Sequence, residues 1–556
     1  MRVAEAIVQI LEKEGISDAF GIPGAGINPV YKYLENSSIH HYVMRHEEAA
    51  THAADAYFRA SHRIAAALCT SGPGATNFVT GLYTAAADSI PLLAITGQAN
   101  TWQMKQEAFQ CVDIALICAS VAKKTWCVTE PTLAPAILRE AFHAMRSGRP
   151  GPVVVDLPLN VQMAEIDFDI ADYTPAGVIV SGPDMHLIDQ ALDMIAASRA
   201  PLVIMGGGVT LSESESDLLA FAELLQIPVI QTYMAKGGVP LGHPLNAGNM
   251  GIQVGQPLGN RVFLDSDLVL GVGCRFTDRH TGDIKTYTEG RKFIHIDVEP
   301  SQIGKVFEPT LGIVSDAGLA MKAMLARAKA RGMQPVNLQR VEDLAALRAE
   351  LERRTDYDDV PIKPHRVFRE INEFFDDETF FTVGCGIVQI WSGQLQKIGK
   401  PMRYLPSGGA GTLGFDIPAA FGAKVANPDK TVVTVLGDFG FTFMVEEIAV
   451  AAAYKMPIIV VIVNNACLGL IRQNQKLAYE YEYAVKMACN QDGTIDYVKV
   501  AEGFGCQGER VFRPDDIRPA LERACASGKT YVIDIVCDTD QLCSMGGSVA
   551  KIREFT

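Results

Sequence analysis

Two stretches decide the fold. One is Thr431-Val432-Val433-Thr434-Val435-Leu436-Gly437-Asp438-Phe439. The other is Ile458-Ile459-Val460-Val461-Ile462-Val463-Asn464-Asn465. Each is an apolar, β-branched run of strand length that stops at glycine or polar residues. Asp438 and the Asn464-Asn465 pair therefore fall at the C-terminal ends of two buried strands. Ligands of doubly wound sheets gather at such ends.

The same rhythm extends outward. Buried strands are expected within 19–24, which runs into a turn, at 64–68 and 91–96, within 201–208, which ends in glycines, and at 268–273, 293–297 and 531–536. Between them lie helical patterns. Val3, Ile7, Ile10 and Leu11 share one face that Gly15 ends, and a small-residue helix spans 47–59. Alternation of this kind predicts parallel sheets with helices on both faces. The rhythm pauses at 166–185, with Asp167, Asp169, Asp172, Pro175 and Pro183. It pauses again after a charged helical segment, in the Pro/Asp-rich 356–364. The expected fold class is α/β, with three doubly wound parallel-sheet domains at 1–165, 186–335 and 360–556. Length agrees, since 556 residues make about three domains of ordinary size.

Composition narrows the class. Hydrophobic residues are 48% and charged residues 20%, with a mean hydropathy of +0.13, which excludes a disordered chain. Net charge is −15 and no basic block occurs, which argues against nucleic acid as a partner. The longest strongly apolar run, 457–463, is too short to span a bilayer, so no membrane role is expected. The 12 cysteines form no CxxC pair, and no signal peptide pattern precedes the first helix. The expected setting is reducing and cytoplasmic.

The Asp438 carboxylate, an amide oxygen from Asn464-Asn465 and a spare carbonyl are hard oxygen donors. Such a set suits Mg²⁺ bridging a diphosphate, with water and phosphate completing the shell. Either Gly-Asp or Asn-Asn alone is an ordinary turn; both after buried strands, twenty-seven residues from Asp438 to Asn465, are specific. On these residues the chain resembles the thiamine-diphosphate-dependent enzymes, which implies metal ligands at Asp438, Asn465 and Cys467.

Further motifs carry that resemblance. Arg45-His46-Glu47 opens the small-residue helix, and the family places a glutamate there against N1′ of the aminopyrimidine. A buried carboxyl beside the ring has a raised pKa and can share a proton with it. The resemblance also implies cofactor contacts from Pro23-Gly24, the turn containing Gly72, Gly386-Ile387-Val388, Gly411, and Gly437-Asp438-Phe439. Leu413, between glycines, matches the wedge that holds the cofactor bent.

The likeness covers essentially the whole chain, within the acetohydroxyacid synthase-like branch. Phe109 and Gln110 match that branch's active-site segment. Its central domain binds FAD, which implies a flavin site at Arg149, Gly206, Gly207, Gly208, Thr232, Met234, Gly273, Arg275, Asp297 and Asp316. The flavin there is mainly structural, because carboligation has no net redox step. Within the branch, residues 279–292 and 464–473 resemble the glyoxylate carboligases. The implied reaction decarboxylates one glyoxylate and joins the remainder to a second, giving tartronate semialdehyde. Arg279, Leu470 and Arg472 are the candidate substrate residues, the arginines for a carboxylate. A surface ion pair is the other reading of Arg472. Glu47 stands where those carboligases carry an aliphatic residue, and Trp391 is closer to acetohydroxyacid synthases. Condensation of pyruvate to acetolactate, or a flavin oxidoreductase like pyruvate oxidase, are therefore the alternatives. The family builds each site from two subunits, which implies a homodimer at minimum and a homotetramer as the fuller assembly.

Overall fold

A computed structural model of the chain describes residues 1–487 and 495–555. It contains three six-stranded sheets, and every strand pairing within them is parallel. The first holds β1 (Asp18–Gly21), β2 (His40–Val43), β3 (Ala66–Cys69), β4 (Leu93–Gln98), β5 (Lys124–Cys127) and β6 (Val153–Pro158), in the order 2-1-3-4-6-5. The second holds β7 (Pro201–Met205), β8 (Val229–Gln231), β9 (Asn246–Asn249), β10 (Leu268–Val272), β11 (Lys292–Asp297) and β12 (Leu311–Val314). The third holds β13 (Phe380–Val383), β14 (Tyr404–Pro406), β15 (Val432–Gly437), β16 (Ile459–Asn464), β17 (Gln507–Val511) and β18 (Tyr531–Val536).

The three sheets are not three copies. Numbered within its own domain, the third repeats the 2-1-3-4-6-5 order of the first. The second runs 12-11-10-7-8-9, which is 6-5-4-1-2-3 in its own numbering. That is the dinucleotide-fold order, with its switch point between β7 and β10. A Cβ on Gly206, just past β7, would stand 2.1 Å from Gly273 O, just past β10. The glycines there allow two strand ends to touch.

The central strands are buried along their length, as their unbroken apolar runs require. The edge strands β2, β5 and β17 are half-exposed and polar. Among the described residues no helix is long and apolar enough to cross a membrane. The described cysteines are all free, and Cys489 lies outside the described residues.

The first and third domains meet along two helices, Glu47–Ser61 and Asp416–Ala426. Small residues let the axes close in: a Cβ on Gly422 would meet Ala53 O at 2.0 Å. Inside this contact lies a buried charge cluster. Arg59 Nε donates to Asp55 Oδ1 (2.5 Å), Nη2 to Asp88 Oδ2 (3.1 Å), and Nη1 to Pro406 O (3.0 Å). Asp88 also accepts from the amides of Gly408 (3.0 Å) and Gly409 (2.8 Å) in the third domain. Arg275 of the middle domain approaches it at 3.5 Å. One carboxylate thus ties all three domains together. Asp88→Ala is expected to destabilise the fold by about 3–5 kcal/mol, because it leaves Arg59 short of a partner in a buried site. Asp88→Asn, which keeps an acceptor for the loop amides, is expected to lose less. Chemical denaturation measures both.

Candidate cofactor and active site

Glu47 opens its helix, where a carboxylate complements the N-terminal end. Its Oε2 accepts from Asn77 Nδ2 at 2.9 Å. Gly74 lies against it, and a Cβ there would stand 3.0 Å from Oε1. Gly72 has φ +63°, and a Cβ would strike Gln110 at 2.8 Å. The backbone turn at Gly24 packs on Thr70, whose Oγ1 accepts from Gly26 N at 3.1 Å. Pro23, Gly24, Gly72, Gln110 and Glu47 thus crowd the C-terminal ends of β1 and β3. Phe109, next to Gln110, is 87% exposed, so its side chain stands clear of the cluster.

Glu447 reaches this cluster from the third domain. Its Oε1 accepts from the amides of Arg45 and His46, the two residues immediately before Glu47, each at 2.9 Å. Its other oxygen is buried without a partner. Burial pushes its pKa up to about 8. No motif marked this residue; it follows a turn and reads as an ordinary helix start.

The second cluster lies at the C-terminal ends of the neighbouring strands β13, β15 and β16. Asp438 follows β15, and Asn464-Asn465 close β16. The two asparagines divide. Asn464 Nδ2 donates to Asp534 Oδ1 (2.8 Å), and its oxygen accepts from Ala466 N (3.1 Å). Asn465 faces Asp438 instead. With its nitrogen turned inward it donates to Asp438 Oδ1 (3.3 Å) and Cys467 O (3.0 Å). With its oxygen inward, three oxygens face one another with no proton between them. That arrangement calls for a cation. Asp438 Oδ2 is buried and unpartnered, and burial pushes the carboxyl up to about 7. The donor set of Asp438, Asn465 and the Cys467 carbonyl fits Mg²⁺, which takes few protein ligands.

Glycines line the same space. Gly386 has φ +118° and precedes the Ile387–Leu395 helix. A Cβ on Gly437 would reach only Val388 Cγ1, at 4.0 Å, and one on Gly411 only Cys385 Sγ, at 3.5 Å. The backbones of Gly386, Gly411 and Gly437 are therefore open to a ligand. Phe439 continues past Asp438 in a single helical turn. Leu413 is half-buried on the loop that Asp88 anchors.

A cavity of about 540 Å³ lies against the middle domain, with first-domain and third-domain residues also on its wall. Arg149, Gly207, Gly208, Thr232, Met234, Gly273, Arg275, Asp297 and Asp316 all line it, and Gly206 lies beneath at the strand crossing. Residues 178–180, part of the stretch that reads as a linker, also line it. Arg279 stands on the wall near the third domain. Its Nη1 and Nη2 donate to Gln389 Oε1 at 3.0 Å each. Leu470 packs beside the third-domain core. Arg472 is engaged within its own domain: Nη1 donates to Thr539 O (2.6 Å), Nη2 to Asp540 Oδ1 (2.5 Å), and Nε pairs with Glu482 (3.1 Å).

Family models match all three domains: the N-terminal TPP binding domain of thiamine pyrophosphate enzymes at residues 1–117, their central domain at 188–324, and their C-terminal TPP binding domain at 384–535. The chain belongs to the thiamine pyrophosphate (thiamine diphosphate) enzyme family. Among its relatives is glyoxylate carboligase of Escherichia coli O157:H7, 43% identical over 100% of this chain and 96% of that protein. The probable acetolactate synthase large subunit of Methanococcus aeolicus is 37% identical, over 100% and 95% respectively. The acetolactate synthase large subunit of Corynebacterium glutamicum is 38% identical, over 100% and 90%.

Three outcomes are expected. Asp438→Ala should abolish Mg²⁺-dependent binding of thiamine diphosphate in calorimetry; tight binding retained would overturn the metal assignment. Glu47→Gln should slow exchange of the bound cofactor's C2 proton by about a hundredfold, read by NMR. Glu447 concerns stability. Its folded pKa lies above the ordinary 4.5, so its contribution is complete below pH about 4.5 and lost as pH rises through about 8. Between pH 5 and 8 the unfolding midpoint should therefore fall more steeply in the native protein than in Glu447→Gln.

Proposed function

We propose that the chain is a thiamine-diphosphate-dependent carboligase that converts two glyoxylates to tartronate semialdehyde and CO₂. The observation that carries the choice of substrate class is the Arg279 guanidinium. It stands at the edge of the middle cavity and reaches out of it toward the third domain, where it bonds to Gln389, whose helix begins at Ile387 and Val388 in the thiamine-diphosphate space. A cation so placed receives the carboxylate of a small 2-oxo acid. The 43% identity to a glyoxylate carboligase over the full length supports glyoxylate as that acid.

Bound at the two clusters, thiamine diphosphate supplies a nucleophilic carbon that can accept a decarboxylating 2-oxo acid. The chain's residues do the rest. Asp438, Asn465 and the Cys467 carbonyl would hold Mg²⁺ against the diphosphate. Leu413 would fill the bend between the two rings. Glu47 would hold a proton at N1′. Arg279 would orient the substrate carboxylate, and Leu470 would close the apolar side and keep water out. Phe109 and Gln110 would border the acceptor.

The middle cavity fits FAD in kind. Its strand order, the Gly206–Gly273 crossing, the cationic Arg149 and Arg275, and the acidic Asp297 at the end of β11 suit a dinucleotide. Two further parts of the reading concern assembly and setting. Glu47 and the metal cluster belong to different domains, and a homodimer would bring one chain's Glu47 to the partner's metal cluster. Exposed apolar side chains support that: Trp102, Phe109 and Leu116 on the first domain, Ile471, Tyr479 and Tyr483 on the third. A tetramer would pair two such dimers, in the cytoplasm.

A second reading has its own support. Glu47, and acetolactate synthase relatives at 37–38% identity, favour pyruvate as donor and acetolactate as product. A product assay with glyoxylate and pyruvate, singly and mixed, decides. Glyoxylate alone should yield CO₂ and tartronate semialdehyde with the flavin unchanged. Acetolactate from pyruvate at the higher rate would select the second reading. Steady anaerobic flavin reduction by either acid would select an oxidoreductase.

A further inference from the structure

Arg279 is oriented by its neighbours but not neutralised by them. Its Nε donates to Gln253 Oε1 at 2.7 Å, and both terminal nitrogens donate to Gln389 Oε1. Gln389 is buried, and its own amide nitrogen donates to Ser407 O at 3.4 Å. The main-chain oxygen of Gln253 accepts from Gln394, which also donates to Ser544 O at 2.5 Å. Among the described residues no carboxylate lies within 4.0 Å of the Arg279 guanidinium. Half-buried Arg149, Arg291, Arg340 and Arg348 are likewise held by neutral oxygens, whereas three other arginines are compensated by acids. Arg59 meets Asp55 and Asp88; Arg366 meets Asp358, Glu370 and Asp515; Arg472 meets Glu482 and Asp540.

The difference has a chemical meaning. A carboxylate would fix a guanidinium more strongly than an amide does, but it would also cancel the charge. An amide oxygen supplies direction alone. Three of the five N–H groups are used in this way, which leaves two for an incoming anion. We propose that Gln389 and Gln253 are positioning residues that set the preference for anionic substrates, by holding Arg279 in a fixed and uncompensated state. The proposal rests on the reading that Arg279 receives the 2-oxo acid carboxylate.

Gln389→Glu and Gln253→Glu keep the shape and add one negative charge. Each should raise KM for glyoxylate, and the dissociation constant of the unreactive analogue oxamate, by about tenfold or more. The kcat, the half-saturation by thiamine diphosphate and the KM for a neutral aldehyde acceptor should stay within about threefold. Gln389→Met, which removes the oxygen without adding charge, should raise the glyoxylate KM by less than either glutamate variant. Gln253 is half-buried, so its variant serves if Gln389→Glu does not fold. Constants within twofold of the native values in both glutamate variants would overturn the proposal. So would an equal rise in KM for the neutral aldehyde, which marks a general distortion. Arg279→Ala separates the two levels. If it leaves glyoxylate and oxamate binding unchanged, the reading of Arg279 falls; if it weakens both while the glutamate variants do not, only the role of the glutamines falls.

Discussion

Asp88 is the constraint on which the rest depends. It lies buried between three domains and carries a charge that water cannot reach. Such a carboxylate is tolerable only with its full set of partners. Arg59 comes from its own domain, the amides of Gly408 and Gly409 from the third, and Arg275 from the middle one. The loop bearing Leu413 is thereby located by the first domain. The helix contact at Gly422 and Ala53 brings these partners within reach, and small residues make that approach possible.

The site gathers donors of one kind at each point where a ligand group would bind. The Asp438 carboxylate, the Asn465 amide and the Cys467 carbonyl converge, and one Asp438 oxygen is buried without a partner. Open glycine backbones line the neighbouring space. Arg279 is aimed by amides and left charged. Beside the site, Asn464 and Asp534 instead satisfy each other. An overall charge of −15 therefore says little about the site, whose local cations are set apart from the acidic exterior.

Much of this was legible in the chain, for identifiable reasons. A central strand of a parallel sheet is buried on both faces, so its sequence is one apolar run, as in β15 and β16. Edge strands such as β2 and β17 face water, carry polar residues and left no comparable signal. The metal motif was visible because both halves follow such runs directly. Which asparagine faces Asp438 was settled by Asp534, seventy residues along the chain, which holds Asn464. Arg472 has the composition of an anion site but is tied to Glu482 and Asp540. Residues 178–180 read as linker because nothing local reveals the cavity that they cover.

By itself the sequence determined the class of fold, the two cofactor motifs and the glycines that must let a backbone come close. Those are local properties, written in periodicity and spacing. The tertiary structure decided the relations between distant residues. It made the middle sheet a 3-2-1-4-5-6 dinucleotide fold beside two sheets of another order. It set Asp88 at the junction, placed Glu447 behind Glu47, and gave Arg279 two glutamines in place of acids. Each pair lies far apart along the chain, and only packing decides which charges meet a partner and which remain free.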